Sequence, residues 1–466
     1  MPPQRSPGPV AVLACALVGL SAIARAQTAG KVELELDPLE SAERPHVRSQ
    51  LVPVRAGELL YVASGLRLFA LDAFTLEPRW RAGPPSGWYS LDPARRAELL
   101  EGVDHEFAWS APNVGARAVV AALQLPLARG RREEHMGVVI ARALPERRLF
   151  AFDRFTGRRL WDHVPPELAP GSDPRVELDR RGVALARRAS VIGPPLVVGE
   201  RVLVPCSSDS SSVDYRVAAY ELADGGAVWA TFVLRGQVAR DGLGFVLDEF
   251  LAPPLVLTPD GRHVLVLTGL GTLALLDAST GEIGWSTRYP AEPLPRSHAH
   301  MPPRRSVRWR STPPLVVGET VIAAPPDARA LFAFDLVDGR LLWSLSDADE
   351  LALFPCRPET DHLAGVAGDT LWLGGPELAA VRCIGGLRAP ASFELAWTDP
   401  LGCASGARVR LVGQTLFVPD ATRVRALDAS TGVTRRAYEA DATVGLLVDD
   451  AELVAVGAGT LARIER

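Results

Sequence analysis

One short segment recurs along this chain: an apolar strand ending in Asp, a Thr-Gly turn, and a second strand with Trp four residues after the Gly. Leu149–Trp161 reads LFAFDRFTGRRLW, Leu273–Trp285 reads LALLDASTGEIGW, and Leu331–Trp343 reads LFAFDLVDGRLLW. Looser copies lie at Leu68–Trp80, Val217–Trp229 and Val424–Arg436. A unit repeating every few tens of residues points to an array, a solenoid or a propeller. Residue types in the turn have physical reasons. An Asp such as Asp72, Asp153, Asp277, Asp335 or Asp428 can accept hydrogen bonds from backbone N–H groups two or three residues on. Gly157, Gly281, Gly339 and Gly432 supply the positive φ that closes the hairpin. The strand before each Asp is almost continuously apolar, as expected of a strand covered on both faces. Trp161, Trp229, Trp285 and Trp343 are expected to fill the widening gap between neighbouring units.

A second piece precedes each of these units: an apolar strand, a tight turn and another apolar strand. Pro194–Val204 reads PPLVVGERVLV and Pro313–Ala323 reads PPLVVGETVIA, with Val114–Ala122 the poorest match. Such β-rich runs joined by Gly-Glu, Gly-Asp or Asp-Gly turns are hairpins. The full unit therefore reads strand A, turn, strand B, loop, strand C, turn, strand D, a four-stranded antiparallel blade. Counting hairpins gives about eight blades, within the range usual for propellers. The fold expected is an all-β, eight-bladed β-propeller over residues 27–466. The chain stops just after its last C strand, so the alternating segment Val32–Leu36 is expected to supply the missing outer strand and close the ring. Closure removes two exposed sheet edges.

Residues 1–26 read as an export signal, with Arg5 ahead of an apolar run from Val10 to Ile23 and Ala24-Arg25-Ala26 before Gln27. Cys15 sits inside that run, which leaves too little hydrophobic segment ahead of it for a lipoprotein cut. No later run is long and apolar enough to cross a membrane. The formal net charge of −5 argues against nucleic acid, whose binding draws on basic patches. The protein is therefore expected to be exported, to the periplasm or beyond the cell, and a monomer is expected. Export permits disulfides. Cys206, Cys356, Cys383 and Cys403 either pair, in one of three ways if all four are used, or remain buried thiols. None are adjacent, and neither C-x-x-C nor C-x-x-C-H occurs.

The A–B–C–D unit with its A-x-D-x-x-T-G-x-x-x-W core resembles the repeat of pyrroloquinoline-quinone (PQQ) type β-propellers. That family includes quinoprotein alcohol dehydrogenases and BamB-like, non-enzymatic outer-membrane assembly factors. The resemblance rests on Ala70–Asp72, Ala151–Asp153, Leu275–Gly281, Ala333–Gly339, Ala426–Asp428 and the tryptophans, and it spans the mature chain. The motif is structural, so it speaks to fold before function. For the dehydrogenases it implies a vicinal Cys-Cys disulfide over the quinone and a calcium held by Glu, Asn and Asp oxygens. Here no two cysteines are adjacent and Asn113 is the sole asparagine. The sole lysine, Lys31, precedes the ring, so an active-site lysine is missing too. PQQ and calcium are therefore not expected, and no catalytic or metal-binding residue is assigned.

Long insertions fall at residues 82–110, 124–146, 164–190, 205–215, 234–250, 289–310 and 346–361. All lie on B–C or D–A connections, which emerge at one end of a propeller, and loops of this length are usually functional or disordered. The first contains a predicted helix, with Asp92 as N-cap, Pro93 at its first position and Gly102 at its end. Trp88, Tyr89 and Trp109 stand outside the repeat pattern and can either anchor a partner or pin the loop. Arg304, Arg305, Arg308, Trp309 and Arg310 form a second candidate partner site, since clustered guanidinium groups beside an aromatic suit carboxylates, phosphates or an acidic surface. His298, His300 and Met301 are too few for a metal site. Asp104-His105 and Asp361-His362 lack a nucleophile for a triad. The expected function is that of a non-enzymatic, BamB-like scaffold binding a protein or cell-envelope component through its insertion-rich face. The alternative is a divergent PQQ-dependent alcohol or sugar dehydrogenase, or another propeller enzyme.

Overall fold

The computed structural model describes residues 28–34, 51–64, 66–84, 111–135, 138–163, 190–209, 213–237, 250–293, 309–346, 359–404, 407–442, 445–448, 452–457 and 459–465. These form eight antiparallel sheets arranged as the blades of an eight-bladed β-propeller, with no helix among the described residues. Blade 1 is typical. Its strands A to D are Val52–Ala56, Leu59–Ala63, Leu68–Asp72 and Pro78–Ala82, paired in that order. Blade 3 carries a fifth strand, because its strand A is split into Ser190–Val191 and Leu196–Val198.

Each C strand is buried on both faces because successive side chains leave the sheet on opposite sides and meet a different neighbour. In blade 2, Phe150 and Phe152 pack with Tyr61 and Leu68 of blade 1. Leu149 and Ala151, one position away, pack with Val202 and Tyr220 of blade 3. The same arrangement recurs around the ring, and the last apolar layer joins Val454, Val456 and Leu461 of blade 8 to Leu60, Val62 and Leu71 of blade 1. The ring is closed by hydrophobic burial.

The repeated turn ties these layers together. Asp277 Oδ1 accepts the backbone N–H groups of Ser279 and Thr280, both at 2.8 Å. Gly281 has φ +74°. That glycine answers a second demand, because a Cβ on it would lie 2.5 Å from the indole of Trp229 in the preceding blade. Trp285 bears likewise on Gly339, Trp80 on Gly157 and Trp397 on Gly432. The indole N–H then donates into the next blade, Trp285 Nε1 to Leu336 O at 3.0 Å and Trp161 Nε1 to Leu222 O at 2.9 Å. Two residues after Trp, Thr231 and Thr287 donate to the carbonyls of Gly281 and Gly339. Blade 1 receives no tryptophan from blade 8. There the turn position is Leu76, at φ +61°, whose buried side chain fills the vacant space.

The closing strand begins earlier than the sequence pattern indicates. It is Thr28–Glu33, not Val32–Leu36, and it pairs antiparallel with strand C of blade 8, Thr460–Ile464. The reason lies in the register: Glu33 stands opposite Thr460, the first residue of its partner, so nothing remains to pair with Leu34 onward. Leu34 instead turns inward, buried, with its N–H on Gly459 O at 2.8 Å. Glu452 adds ionic contacts at the seam, with Arg55 at 3.0 Å and Arg463 at 3.3 Å. Both guanidinium groups lie over the ring of Phe74.

Strand order fixes the two ends of the disc. A–B and C–D turns emerge at one end, B–C and D–A connections at the other. Residues 83–112, 163–189 and 289–314 each separate a D strand from the next A strand. The insertion at 124–146 is an extension of the sheet itself: strands Ala118–His135 and Val138–Asp153 of blade 2 continue as a long hairpin.

Candidate functional site

At the elaborated end, where the chain enters the A strands of blades 5, 6 and 7, polar side chains converge. The A strands are Leu315–Val317, His362–Ala367 and Arg410–Val412, and they pack side by side around the axis. Arg310, ahead of blade 5, donates Nε to Asp361 Oδ2 at 2.7 Å, with Nη2 on the same oxygen. Arg310 Nη1 reaches Ala407 O at 3.1 Å, at the approach to blade 7. Asp361 Oδ1 lies 2.6 Å from His362 Nδ1, and Val409 N donates to His362 Nε2 at 3.0 Å. Arg408 Nη2 returns to Ser311 O at 2.7 Å. One network therefore staples three consecutive blades.

These contacts fix the protonation states. Because Nε2 accepts an amide proton, Nδ1 carries the imidazole hydrogen and donates it to Asp361. Burial brings the His362 pKa down to about 4, against the opposing pull of Asp361. Burial also works to raise the Asp361 carboxyl, but His362 and Arg310 outweigh it and hold the group below its ordinary value. Burial first, then the neighbouring Arg310 and Arg410, lowers Arg408. Cys403, which contacts Gly375 O and Ala407 O, has its thiol pushed up to about 11 by burial. An imidazole engaged at both nitrogens is no free general base, and a thiol of that pKa is no ready nucleophile. The arrangement is a positional lock at the mouth of the ring.

Several residues singled out in the sequence take other places. Trp309 is fully buried between blades 5 and 6, among Ile322, Leu331, Leu363 and Leu371. It is a core residue, so its role as a partner-binding aromatic is withdrawn: burying the indole satisfies the apolar joint that two packed sheets require. Arg310 faces Asp361 as an ion pair. Trp88, Tyr89, Trp109, Arg304, Arg305 and Arg308 lie outside the described residues, as do the segment 92–102, Asp104, His105, His298, His300, Met301 and Cys356.

Cys206, Cys383 and Cys403 are free thiols in three different inter-blade layers. Burial pushes Cys206 and Cys383 up to about 12. Asn113 Oδ1 accepts Val197 N at 3.2 Å, which ties blade 2 to blade 3. Among the described residues no group of three or more His, Cys, Asp or Glu side chains is placed to hold a metal ion. Sequence reasoning missed Arg408 and the pairing of Arg310 with Asp361 across blades. Its legible traces were Arg310 itself and the Asp361-His362 dipeptide at the start of an A strand.

The sequence model of a family described as "Outer membrane protein assembly factor BamB" matches residues 25–248 and 213–391. No curated protein sequence matches the chain. Among solved structures, BamB from Moraxella catarrhalis aligns at 16% identity over 94% of this chain and 96% of that chain, with a TM-score of 0.53. The quinohemoprotein alcohol dehydrogenase ADHIIG from Pseudomonas putida HK5 aligns at 14% identity over 94% of this chain and 76% of that chain, with a TM-score of 0.54. The quinohemoprotein alcohol dehydrogenase from Comamonas testosteroni aligns at 12% identity over 90% and 75%, with a TM-score of 0.53. At these identities the likeness is one of fold.

Proposed function

We propose a function that proceeds from family membership: the chain belongs to the family of outer membrane protein assembly factor BamB. On this reading it is a non-enzymatic scaffold, exported across the inner membrane by residues 1–26 and acting in the envelope as a single copy. It binds a protein partner during outer-membrane protein assembly. The observation that carries the reading is the lopsided ring: short A–B and C–D turns at one end, and every long connection at the other. A face elaborated in this way on a rigid disc is where a propeller of this family has room for a partner.

A quinone-dependent reaction is not part of the reading, although the fold is shared with quinohemoprotein alcohol dehydrogenases. The residues present do not fit that group. The three described cysteines, Cys206, Cys383 and Cys403, lie in separate layers, and the carboxamide oxygen of Asn113 serves an inter-blade hydrogen bond.

The test is removal of the chain from its cell, followed by measuring folded outer-membrane barrels through the gel-mobility difference between folded and heated forms. A several-fold drop, reversed by restoring the chain, is the expected result. Normal outer-membrane protein levels, together with saturable binding of PQQ and calcium and dye-linked alcohol oxidation, would overturn the reading.

A further inference from the structure

The lock at the mouth of the ring is built mostly from cations. Arg310 enters it ahead of blade 5, and Arg408 and Arg410 enter it at the start of blade 7. The carboxylate that belongs to it, among the described residues, is Asp361. His362 adds no charge, since burial brings it down to about 4. Three guanidinium groups set against one carboxylate sum to two positive charges. Arg408 is buried, while Arg310, Asp361 and Arg410 are partly exposed, so the group has a floor and a solvent side. Charges held away from water attract a counter-charge far more strongly than exposed ones do.

Two hydroxyl groups stand beside these cations. Ser311 O holds Arg408 Nη2 at 2.7 Å, and Thr312 is the next residue. Ser311 Oγ and Thr312 Oγ1 are both shut off from solvent, and neither meets a hydrogen-bond partner among the described residues. Buried polar atoms are normally paired, and one that is not asks for an explanation such as an ion. Pro313 and Pro314 follow directly. Their rings fix the backbone and restrict Thr312 before them, so the hydroxyls are held in place without a ladder of their own. A hydroxyl can donate one hydrogen, and a guanidinium offers N–H groups in a planar fork. The chain thus assembles several donors and an excess of positive charge around one spot.

We propose that a phosphate dianion, free or as a soluble monoester, binds here against Arg408, Arg410 and the hydroxyls of Ser311 and Thr312. Its two charges match the two in excess, and its oxygens accept from forks and hydroxyls alike. A carboxylate brings one charge and two oxygens, half of what the site offers. Asp361 keeps Arg310 and His362, so the lock stays intact. Burial, then repulsion from Arg310 and Arg410, brings Arg408 down to about 9, and an anion beside it works against that repulsion. The bound dianion joins the entries of blades 5 and 7, so occupancy stabilises the ring. Such a site does not depend on the assembly reading.

The test is isothermal titration calorimetry of the full mature chain with inorganic phosphate, glycerol 1-phosphate and acetate. Ionic strength is matched with chloride, at about pH 8, where phosphate is a dianion. Two variants accompany it, Arg410→Gln and the double change Ser311→Ala with Thr312→Val. Both are expected to bind phosphate at least about tenfold more weakly. The double variant removes hydroxyls that hold nothing else among the described residues, so without phosphate it should melt no lower than wild type. Phosphate should raise the melting temperature of wild type and leave that of the double variant nearly unchanged. Glycerol 1-phosphate binding at least as tightly as inorganic phosphate would identify an ester as the occupant, and weaker binding the free ion; either keeps the site. The proposal falls if phosphate gives no saturable heat, if acetate binds as tightly, or if the double variant binds phosphate like wild type.

Discussion

At the scale of single residues, the Gly of the turn is constrained from two directions. Gly339 stands at φ +73°, and a Cβ there would lie 2.4 Å from Trp285 of the preceding blade. Gly339→Ala should therefore cost about 2–4 kcal/mol, part from the left-handed backbone and part from the clash. Trp285→Ala should cost roughly 3–5 kcal/mol through the cavity it leaves. Because the second change removes the clash created by the first, the double variant should lose about 1 kcal/mol or more less than the sum. Denaturant unfolding of the four proteins measures this, and strict additivity would contradict the contact. The turn itself was legible, since Asp, Thr and Gly act on backbone within five residues. The pairing of each Trp with the next blade's Gly was not, because spacing along the chain says nothing about which blade a side chain meets. Trp309 was misplaced for a related reason. Beside Arg308 and Arg310 it has the composition of a surface patch, yet it precedes an A strand and falls into the joint between blades 5 and 6.

At the scale of elements, the staple across blades 5, 6 and 7 makes stability depend on pH. His362 is neutral in the folded protein, with a pKa of about 4 against an ordinary 6.5. Asp361, Arg310 and Arg408 are the charged groups that bear on it. As pH falls below 6.5 the unfolded chain takes up the proton first. The stabilisation is thus complete above about pH 6.5 and is lost as pH falls through 4, up to about 3 kcal/mol in all. Asp361, held below its ordinary value, acts in the same direction. Melting temperatures from pH 7 to pH 4 should fall less steeply for His362→Gln than for wild type, from a lower starting value. Equal slopes would show that His362 does not titrate across folding. The Asp361-His362 pair was visible in the sequence, but its partners Arg310 and Val409 sit 51 and 47 residues away. The long hairpin of blade 2 shows the same limit. Its length read as an insertion between strands B and C, and nothing local distinguished a loop from a continued ladder.

For the whole molecule, repeats with two-sided C strands and a missing last D strand left little choice but a closed ring. What the sequence could not place was the start of the closing strand, which depends on the register with Thr460–Ile464. Removing residues 28–34 should expose that strand as an edge and unbury Leu34, destabilising the ring by about 2–4 kcal/mol and promoting aggregation. An unchanged melting curve would contradict closure through this strand.

The division of the disc into a plain end and a working end is what the functional reading depends on. It is tested most directly by photo-crosslinking in cells from single positions at the two ends. Leu401, 59% exposed on the connection from blade 6 to blade 7, samples the elaborated end. Phe155 and Val337, 63% and 69% exposed at C–D turns, sample the other. The account predicts crosslinks to outer-membrane proteins or their assembly machinery from Leu401 and none from Phe155 or Val337. Crosslinks from the two turn positions, with Leu401 silent, would contradict it.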